Sequence, residues 1–428
     1  MANQADRTPT CVLVAIDIAK QWNAALIEYP DGKRQRFQFK HEQEDYDRLV
    51  RLLHSTGSSC RIAFEPTGVY HRTLAYRLLQ EGFHVCQVSS VAGARYRDAM
   101  FNSWDKNDPK DAQVILELLK QGVTQQYHDP LVKGTHDLEE ISKTYELISR
   151  ARTRLRHGII THYLPLHFPE IERFWYSSRN DWFVRFLIQF PTAAAVSALT
   201  REEFVAAAWE VVGRKVDKRR QLDEIHELAK KSIALPLAAD SIAVETFRLQ
   251  LSRYDALNQQ RNALEARAHA LLKDRHDYQR LCEIPGIGPI IALVILAEGG
   301  DLRRFSHHKQ FLKYCGLDLA KVQSGVSRGH ERLSKRGNAR LRCALWQASI
   351  SAIRMRENAF RDKYTRYIAA DPENRDRRRK ARTAVTAKLA RVAYSLVKFD
   401  RPYRGRFEVG LPSGSISLNA ALEASRTS

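Results

Sequence analysis

The sequence predicts an α/β domain at the N-terminus, a mostly α-helical middle and an α-helical C-terminal domain. Three observations carry that reading. The first is a near-continuous apolar run, Cys11-Val12-Leu13-Val14-Ala15-Ile16-Asp17-Ile18, typical of a central strand covered on both faces. The second is a pair of strand-like segments flanking the turn signal Asp31-Gly32, followed by helices that alternate with short apolar runs. The third is helical spacing of apolar residues almost throughout residues 130–275. The expected domains are 10–125, 130–275 and 276–402, with a disordered tail at 403–428.

In the first domain Asp17 interrupts the apolar run near its end, and a carboxylate there is costly unless something binds it. Trp22 to Glu28 reads as a second strand, and Arg34 to Phe39 alternates with period two as a third. Tyr46, Leu49, Val50 and Leu53 place a helix over Glu42 to His54. Arg61 to Phe64 is a short strand with Glu65 just behind it, Tyr70 to Gln80 a helix, and His84 to Val88 another strand. This βββαβαβα order predicts a mixed sheet with helices on its faces.

Asn107-Asp108-Pro109-Lys110-Asp111-Ala112 then opens a helix that continues through Val114, Ile115, Leu118 and Leu119. Asp108 sits at the N-cap or in the first turn, with Pro109 at the first helical position. Asp108 and Asp111 are three residues apart and share one face. Taken singly, Asp108 is a helix cap and Asp17 a strand-end residue. Four carboxylates in the order Asp17, Glu65, Asp108, Asp111 read together as a metal-binding cluster, with Asp105 competing for the third place.

The middle opens with Leu138, Ile141, Tyr145, Leu147, Ile148 and Leu155 at helical spacing, and Phe174-Trp175-Tyr176 and Trp182-Phe183-Val184 belong to its core. Phe247, Leu251, Tyr254, Asn258, Arg261, Leu264, Ala268 and Leu271 step by about 3.5 residues. A coiled-coil arm and an ordinary packed helix both account for that stripe, and the polar Asn258 and Arg261 count against the first.

Leu281 to Glu298 has the form of a helix-hairpin-helix, in which Gly286 and Gly288 permit a tight turn and the next helix presents backbone N–H groups to a phosphate. A Gly-Pro turn between packed helices is the plain alternative. Gln323-Ser324-Gly325, Ser327-Arg328-Gly329 and Ser334-Lys335-Arg336-Gly337-Asn338-Ala339-Arg340 follow, forming a Ser- and Gly-rich basic stretch. Arg375, Arg377, Arg378, Arg379, Lys380 and Arg382 open a basic last helix.

Charge is segregated. Of the net +20, residues 301–428 contribute 29 Lys and Arg against 11 Asp and Glu, while residues 1–300 hold 40 against 38. A polyanion is therefore expected to dock on the last third of the chain. Cys11, Cys60, Cys86, Cys282, Cys315 and Cys343 form no Cys-x-x-Cys pair, which excludes a zinc ribbon and a disulfide framework. No apolar run reaches the length of a membrane span, and the start lacks a signal-peptide core, so a cytoplasmic location with no membrane partner is expected.

Ala15-Ile16-Asp17-Ile18-Ala19-Lys20, Phe64-Glu65-Pro66-Thr67-Gly68-Val69-Tyr70 and Asn107-Asp108-Pro109-Lys110-Asp111-Ala112 resemble the three acidic motifs of the IS110/IS1111 family of DEDD transposases, whose N-terminal domain is RNase H-like and RuvC-like. Phe311 to Leu317 and the stretch from Gln323 to Arg342 resemble the serine-bearing C-terminal domain of the same family. The resemblance covers about residues 11–120 and 275–400, while the middle is expanded relative to compact members.

It implies a DNA transposase or site-specific recombinase with Asp17, Glu65, Asp108 and Asp111 holding two Mg²⁺ ions, for which Mn²⁺ can substitute. Ser324 would be the nucleophile, with Ser327 and Ser334 as rivals, and Gly286, Gly288, Arg328, Lys335, Arg336 and Arg340 would contact nucleic acid. Donor and target DNA, a structured guide or bridge RNA, a dimer or tetramer with composite sites, and a nucleoid-associated prokaryotic setting are implied as well. A RuvC-like Holliday-junction resolvase using only activated water is the alternative enzyme. A nucleic-acid-binding protein on a relic nuclease fold is the alternative without catalysis.

Overall fold

The computed structural model describes residues 11–101, 108–175, 181–212, 217–320, 323–324, 327–328 and 332–405. Asp105 and the tail from residue 406, expected to be disordered, lie outside them. The chain divides into two compact units, Met1–His136 and Asp137–Ser428, so the middle and C-terminal segments expected as separate domains share one unit.

In the first unit β1 (Val12–Asp17), β2 (Trp22–Glu28) and β3 (Arg34–Lys40) form the expected antiparallel meander. Lys33 N–H donates to Asp31 Oδ1 at 2.9 Å, and Gly32 takes φ +84°, which closes the hairpin between β2 and β3. Then follow α1 (Gln43–Ser55), β4 (Cys60–Phe64), α2 (His71–Gln80), β5 (His84–Gln87), α3 (Ser90–Phe101), α4 (Asp108–Lys120) and β6 (Gln125–Gln126). The sheet order is β3-β2-β1-β4-β5-β6, with β4 parallel to β1 and β5 parallel to β4. An antiparallel meander extended by parallel strands is the RNase H-like arrangement.

Two elements here have no counterpart in the sequence reading. The short β6 pairs antiparallel with β5. The helix α3 is built on small residues around Gly93, without the apolar stripe that marks a helix in a sequence.

Alternation along β1 explains its unbroken apolarity. Val12, Val14 and Ile16 join the core with residues of α1 and α2, whereas Leu13 and Ala15 join Ala112, Ile115, Leu116 and Leu119 of α4. Both faces are covered, so both sets of alternate residues must be apolar.

The second unit is helical around two cores. The first gathers the aromatic stretch, including Trp175, Trp182, Phe183, Phe186 and Phe204; the second gathers the helices from residue 276 onward. The 31-residue helix Ile242–Leu272 serves both cores: Phe247, Leu251 and Tyr254 lie in the first, Ala268 and Leu272 in the second. Most of its stripe is therefore buried within its own chain, as expected of a helix packed on its neighbours.

The stripe's polar members face the helix His136–Gly158, which runs antiparallel to it. Tyr145 Oη donates to Glu265 Oε1 at 3.0 Å, and seven residues along, Arg152 donates to Asn258 Oδ1 at 3.0 Å. At the far end Leu272 is buried and Leu271 is half exposed, a one-residue shift expected because a straight helix drifts off a seven-residue repeat.

Gly286, at φ +89°, lies against the helix Ala339–Arg354: a Cβ there would stand 2.2 Å from the Ala348 carbonyl and 2.8 Å from Ala352 N. Gly288, which precedes the helix Pro289–Gly299, has open space around it. Gly286→Ala is expected to destabilise the unit by about 3 kcal/mol, because backbone cannot yield as a flexible side chain would. Gly288→Ala should cost well under half of that. Denaturant melts of the two variants check this, and equal midpoints would show that the close approach is relieved by a small helix shift.

Beyond the helix His308–Tyr314, β7 (Leu319–Ala320) pairs antiparallel with β10 (Arg332–Leu333), and β8 (Gln323–Ser324) with β9 (Ser327–Arg328). Among the described helices none is long and apolar enough to cross a membrane.

Candidate active site

Two carboxylates of the first unit end neighbouring central strands of the sheet. Ile16 of β1 is in register with Phe64 of the parallel β4, so Asp17 and Glu65 occupy neighbouring strand ends, with backbones about 4.8 Å apart. Strand alternation assigns Asp17 to the α4 face. Glu65 is on that face too, because its Oε2 abuts α3: a Cβ added at Gly93 would meet it at 3.0 Å.

The direction of α4 follows from its far end. Lys120 Nζ reaches Glu28 Oε1 at 2.7 Å, and Glu28 is opposite Leu13 near the start of β1. From Lys120 back to Asp111 the helix rises about 13 Å, and from Leu13 to Asp17 the strand advances about 13 Å. Asp111 therefore comes level with Asp17.

Asp111 is only 6% exposed. The Arg97 guanidinium on α3 stands 2.6 Å from its Oδ1, but the N–H is not aligned with that oxygen, and Asp111 Oδ1 and Arg97 Nε are both buried without a hydrogen bond. This is a charge contact rather than a bonded pair. Arg97 and Gly93 escaped the sequence reading because nothing in the pattern around them marks a helix.

The donors are hard carboxylate oxygens, the set that Mg²⁺ or Mn²⁺ takes, and Asp111 keeps a buried oxygen unbonded, so the residues fit such an ion. Among the described residues no three His, Cys, Asp or Glu side chains stand close enough to hold one. Asp17, Glu65 and Asp111 thus do not close into a ligand set. Asp108 begins α4, and its side chain lies outside the described residues.

In the second unit the backbone puts Ser324 on a two-stranded ribbon, directly before the Gly325-Val326 connection and in register with Ser327. The side chains of Ser324, Ser327 and Arg328 lie outside the described residues. The segment that follows β10 is tightly fixed: a Cβ at Gly337 would stand 2.4 Å from Tyr314 O and 2.6 Å from Gly316 N, and Asn338 N–H donates to Tyr314 O at 2.7 Å. Ser334 belongs to that segment, its Oγ accepting from Arg336 N–H at 3.1 Å.

Lys335 and Arg336 are exposed there, Lys335 at φ +55°. Arg340, expected to contact nucleic acid, has partners within the protein. Its Nε lies 2.9 Å from Glu146 and 3.2 Å from Glu298, and a terminal nitrogen donates to Ser142 Oγ. Gly286, for its part, is occupied by helix packing.

A cationic cluster joins the last two helices. Burial, and then Arg391, Lys388 and Arg366, pull the Lys363 ammonium below its ordinary pKa; burial and Arg366 do the same to Lys388. Like charges held this close are relieved by a polyanion. Lys363 and Arg366 escaped the sequence reading because the cluster forms across two helices.

Residues 14–169 match the DEDD transposase model of the IS110 type, and residues 278–365 match the model of the transposase IS116/IS110/IS902 family. Together they span more than half of the chain. This chain belongs to the IS116/IS110/IS902 family of transposases.

Two relatives show how far the likeness extends. The transposase for insertion sequence element IS1111A of Coxiella burnetii is 31% identical over 140 residues, 33% of this chain and 38% of that protein. The insertion element IS110 43.6 kDa protein of Streptomyces coelicolor is 24% identical over 354 residues, 76% of this chain and 79% of its own. Thermus thermophilus RuvC, solved with a Holliday-junction substrate, aligns over 27% of this chain and 99% of its own at 12% identity, with a TM-score of 0.20. The fold assignment rests on the strand order and not on that superposition.

The first family match contains Asp17, Glu65, Asp108 and Asp111; the second contains Gly286, Gly288, Ser324, Lys335, Arg336 and Arg340. In this transposase-family chain the segment between the matches holds the aromatic core and most of the helix Ile242–Leu272.

Proposed function

We propose that this chain cuts and rejoins DNA as the transposase of an insertion sequence. What supports this reading is that Asp17 and Glu65 end the adjacent parallel strands β1 and β4, with Glu65 against α3 and Asp111 of α4 held by Arg97 of that same α3. Asp17, Glu65, Asp108 and Asp111 would hold Mg²⁺, or Mn²⁺ in its place. The bound cation would polarise the scissile phosphate and stabilise the charge that develops on it. Ser324 Oγ attacks phosphorus: its bond to phosphorus forms, the bond to one strand end breaks, and that end leaves as a hydroxyl. Rejoining reverses the exchange, so no outside energy source is required.

Donor and target DNA are the substrates in this reading. A structured guide RNA and a dimer or tetramer complete it, and the exposed Lys335 and Arg336 with the Lys363, Arg366, Lys388 and Arg391 cluster form the docking surface. Affinity for DNA should fall by roughly 10³-fold or more between about 50 and 200 mM salt. Lys363→Glu with Lys388→Glu should weaken binding and flatten that slope in a filter-binding titration. A salt-insensitive affinity would remove this surface from the proposal. Sequencing the nucleic acids that copurify with the protein tests the partners: one recurrent structured RNA is expected, and random fragments alone would eliminate the guide.

A further inference from the structure

The helix His136–Gly158 does not stop at Gly158. It passes through a π turn, Ile159–Tyr163, into Leu164–His167. Such turns are rare and concentrate at functional sites. Along this face Arg152, Thr153, Arg156, His157 and Ile160, with Tyr254 from the helix Ile242–Leu272, line a cleft of about 280 Å³.

Among the described residues the lining contains no carboxylate. The Arg152 guanidinium lies 5.9 Å from the Tyr254 ring centroid, and that of Arg156 lies 5.0 Å from the Trp175 ring. Arg156 donates to the Trp175 carbonyl at 2.8 Å, while its Nε–H is buried and unbonded. Basic residues in a last helical turn often only offset the helix dipole. Here the helix continues beyond them, so that account does not apply. A guanidinium laid on an aromatic face is pre-oriented for a two-point grip on a planar or tetrahedral oxyanion. The His157 ring lines the same cleft and can add a donor, whereas the Thr153 hydroxyl at its rim donates to the Ser149 carbonyl at 2.9 Å.

We propose that this cleft holds a backbone phosphate of a nucleic-acid strand, with Arg156 as the principal donor. The inference rests on the reading of the chain as a nucleic-acid enzyme and assigns the middle segment a role in gripping the strand.

The test uses the full chain, an unstructured oligothymidine as the strand and thymidine 5′-monophosphate as the free-phosphate source. Thr153 is exposed, so Thr153→Glu places a negative charge at the cleft without disturbing the fold. Thr153→Glu and Arg156→Gln should each weaken oligonucleotide binding about tenfold at roughly 0.1 M salt and lower the salt slope by about one. Arg154→Gln, exposed and outside the lining, should do neither. In the wild type the oligonucleotide should shield Arg156 from phenylglyoxal, read by peptide mass spectrometry.

Wild-type affinity and slope in Thr153→Glu would overturn the inference even if Arg156→Gln fails to fold. Shielding by the mononucleotide without competition against the strand would also overturn it, leaving a free-nucleotide site. A wild type that binds no oligonucleotide would sink the proposed function itself; binding unaffected by the cleft variants sinks only this inference.

Discussion

Asp17→Ala is expected to abolish DNA strand cleavage, by about 10³-fold or more, while leaving DNA binding within a factor of about two. The carboxylate lies at the end of β1 beside Glu65, and losing a metal ligand removes charge stabilisation at the phosphate without touching the basic surface of the other unit. Glu65→Ala should behave alike. At Asp111 the substitution of choice is Asn. Alanine would leave the half-buried Arg97 guanidinium without its counter-charge, and removing one partner of such a contact destabilises the fold, so an inactive Asp111→Ala could simply be unfolded. Cleavage of end-labelled DNA, measured beside binding of the same DNA, separates the two causes. Cleavage at the wild-type rate by Asp17→Ala would dismantle the carboxylate cluster; the same result for Asp108→Ala would transfer its place to Asp105.

Ser324→Ala is expected to eliminate both the covalent protein–DNA adduct and recombination. A serine hydroxyl is a weak nucleophile at neutral pH and needs activation, so the adduct should also disappear in Asp17→Ala. The ribbon sharpens the experiment. Ser324 and Ser327 are register partners, and directly opposed residues in such a pair have Cβ atoms only about 5 Å apart, so one can stand near the other's position. Ser327→Ala should therefore be made alongside, and it should keep the adduct. Ser334 is engaged as an acceptor in the segment after β10, and Ser334→Ala should act on stability before chemistry. Trapping on a suicide DNA substrate and mapping the modified peptide decides among the three. An adduct mapped to Ser327 moves the nucleophile to the register partner on the opposite strand. Recombination by Ser324→Ala with no adduct would favour the resolvase-like route through activated water.

Legibility differed between the two halves of the site for a physical reason. Asp17 and Glu65 stand out in sequence because each ends an apolar run, and a charge beside a buried strand is costly unless it is used. Their neighbourhood then follows from pairing β1 with β4 in parallel register. Ser324 had no such contrast with its surroundings, since a serine beside glycine is ordinary in any loop. The antiparallel pairs 319–320 with 332–333 and 323–324 with 327–328 are only two residues long, too short for periodicity to announce them.

Local pattern alone was enough for the meander, the placement of four carboxylates on β1, the end of β4 and the start of α4, and the concentration of positive charge in the last third. These depend on local patterns of apolar and charged residues, which persist wherever the chain goes. Only the tertiary structure decided which charges remain available. Arg340 looks free in sequence but is held by Glu146 and Glu298, whereas Arg97 is invisible there and ends against Asp111. The stripe of the helix Ile242–Leu272 was equally open until Tyr145 and Arg152 met Glu265 and Asn258 from the opposite direction. A side chain's charge is a property of its residue, but its availability is set by partners distant in the chain, and only packing brings those together.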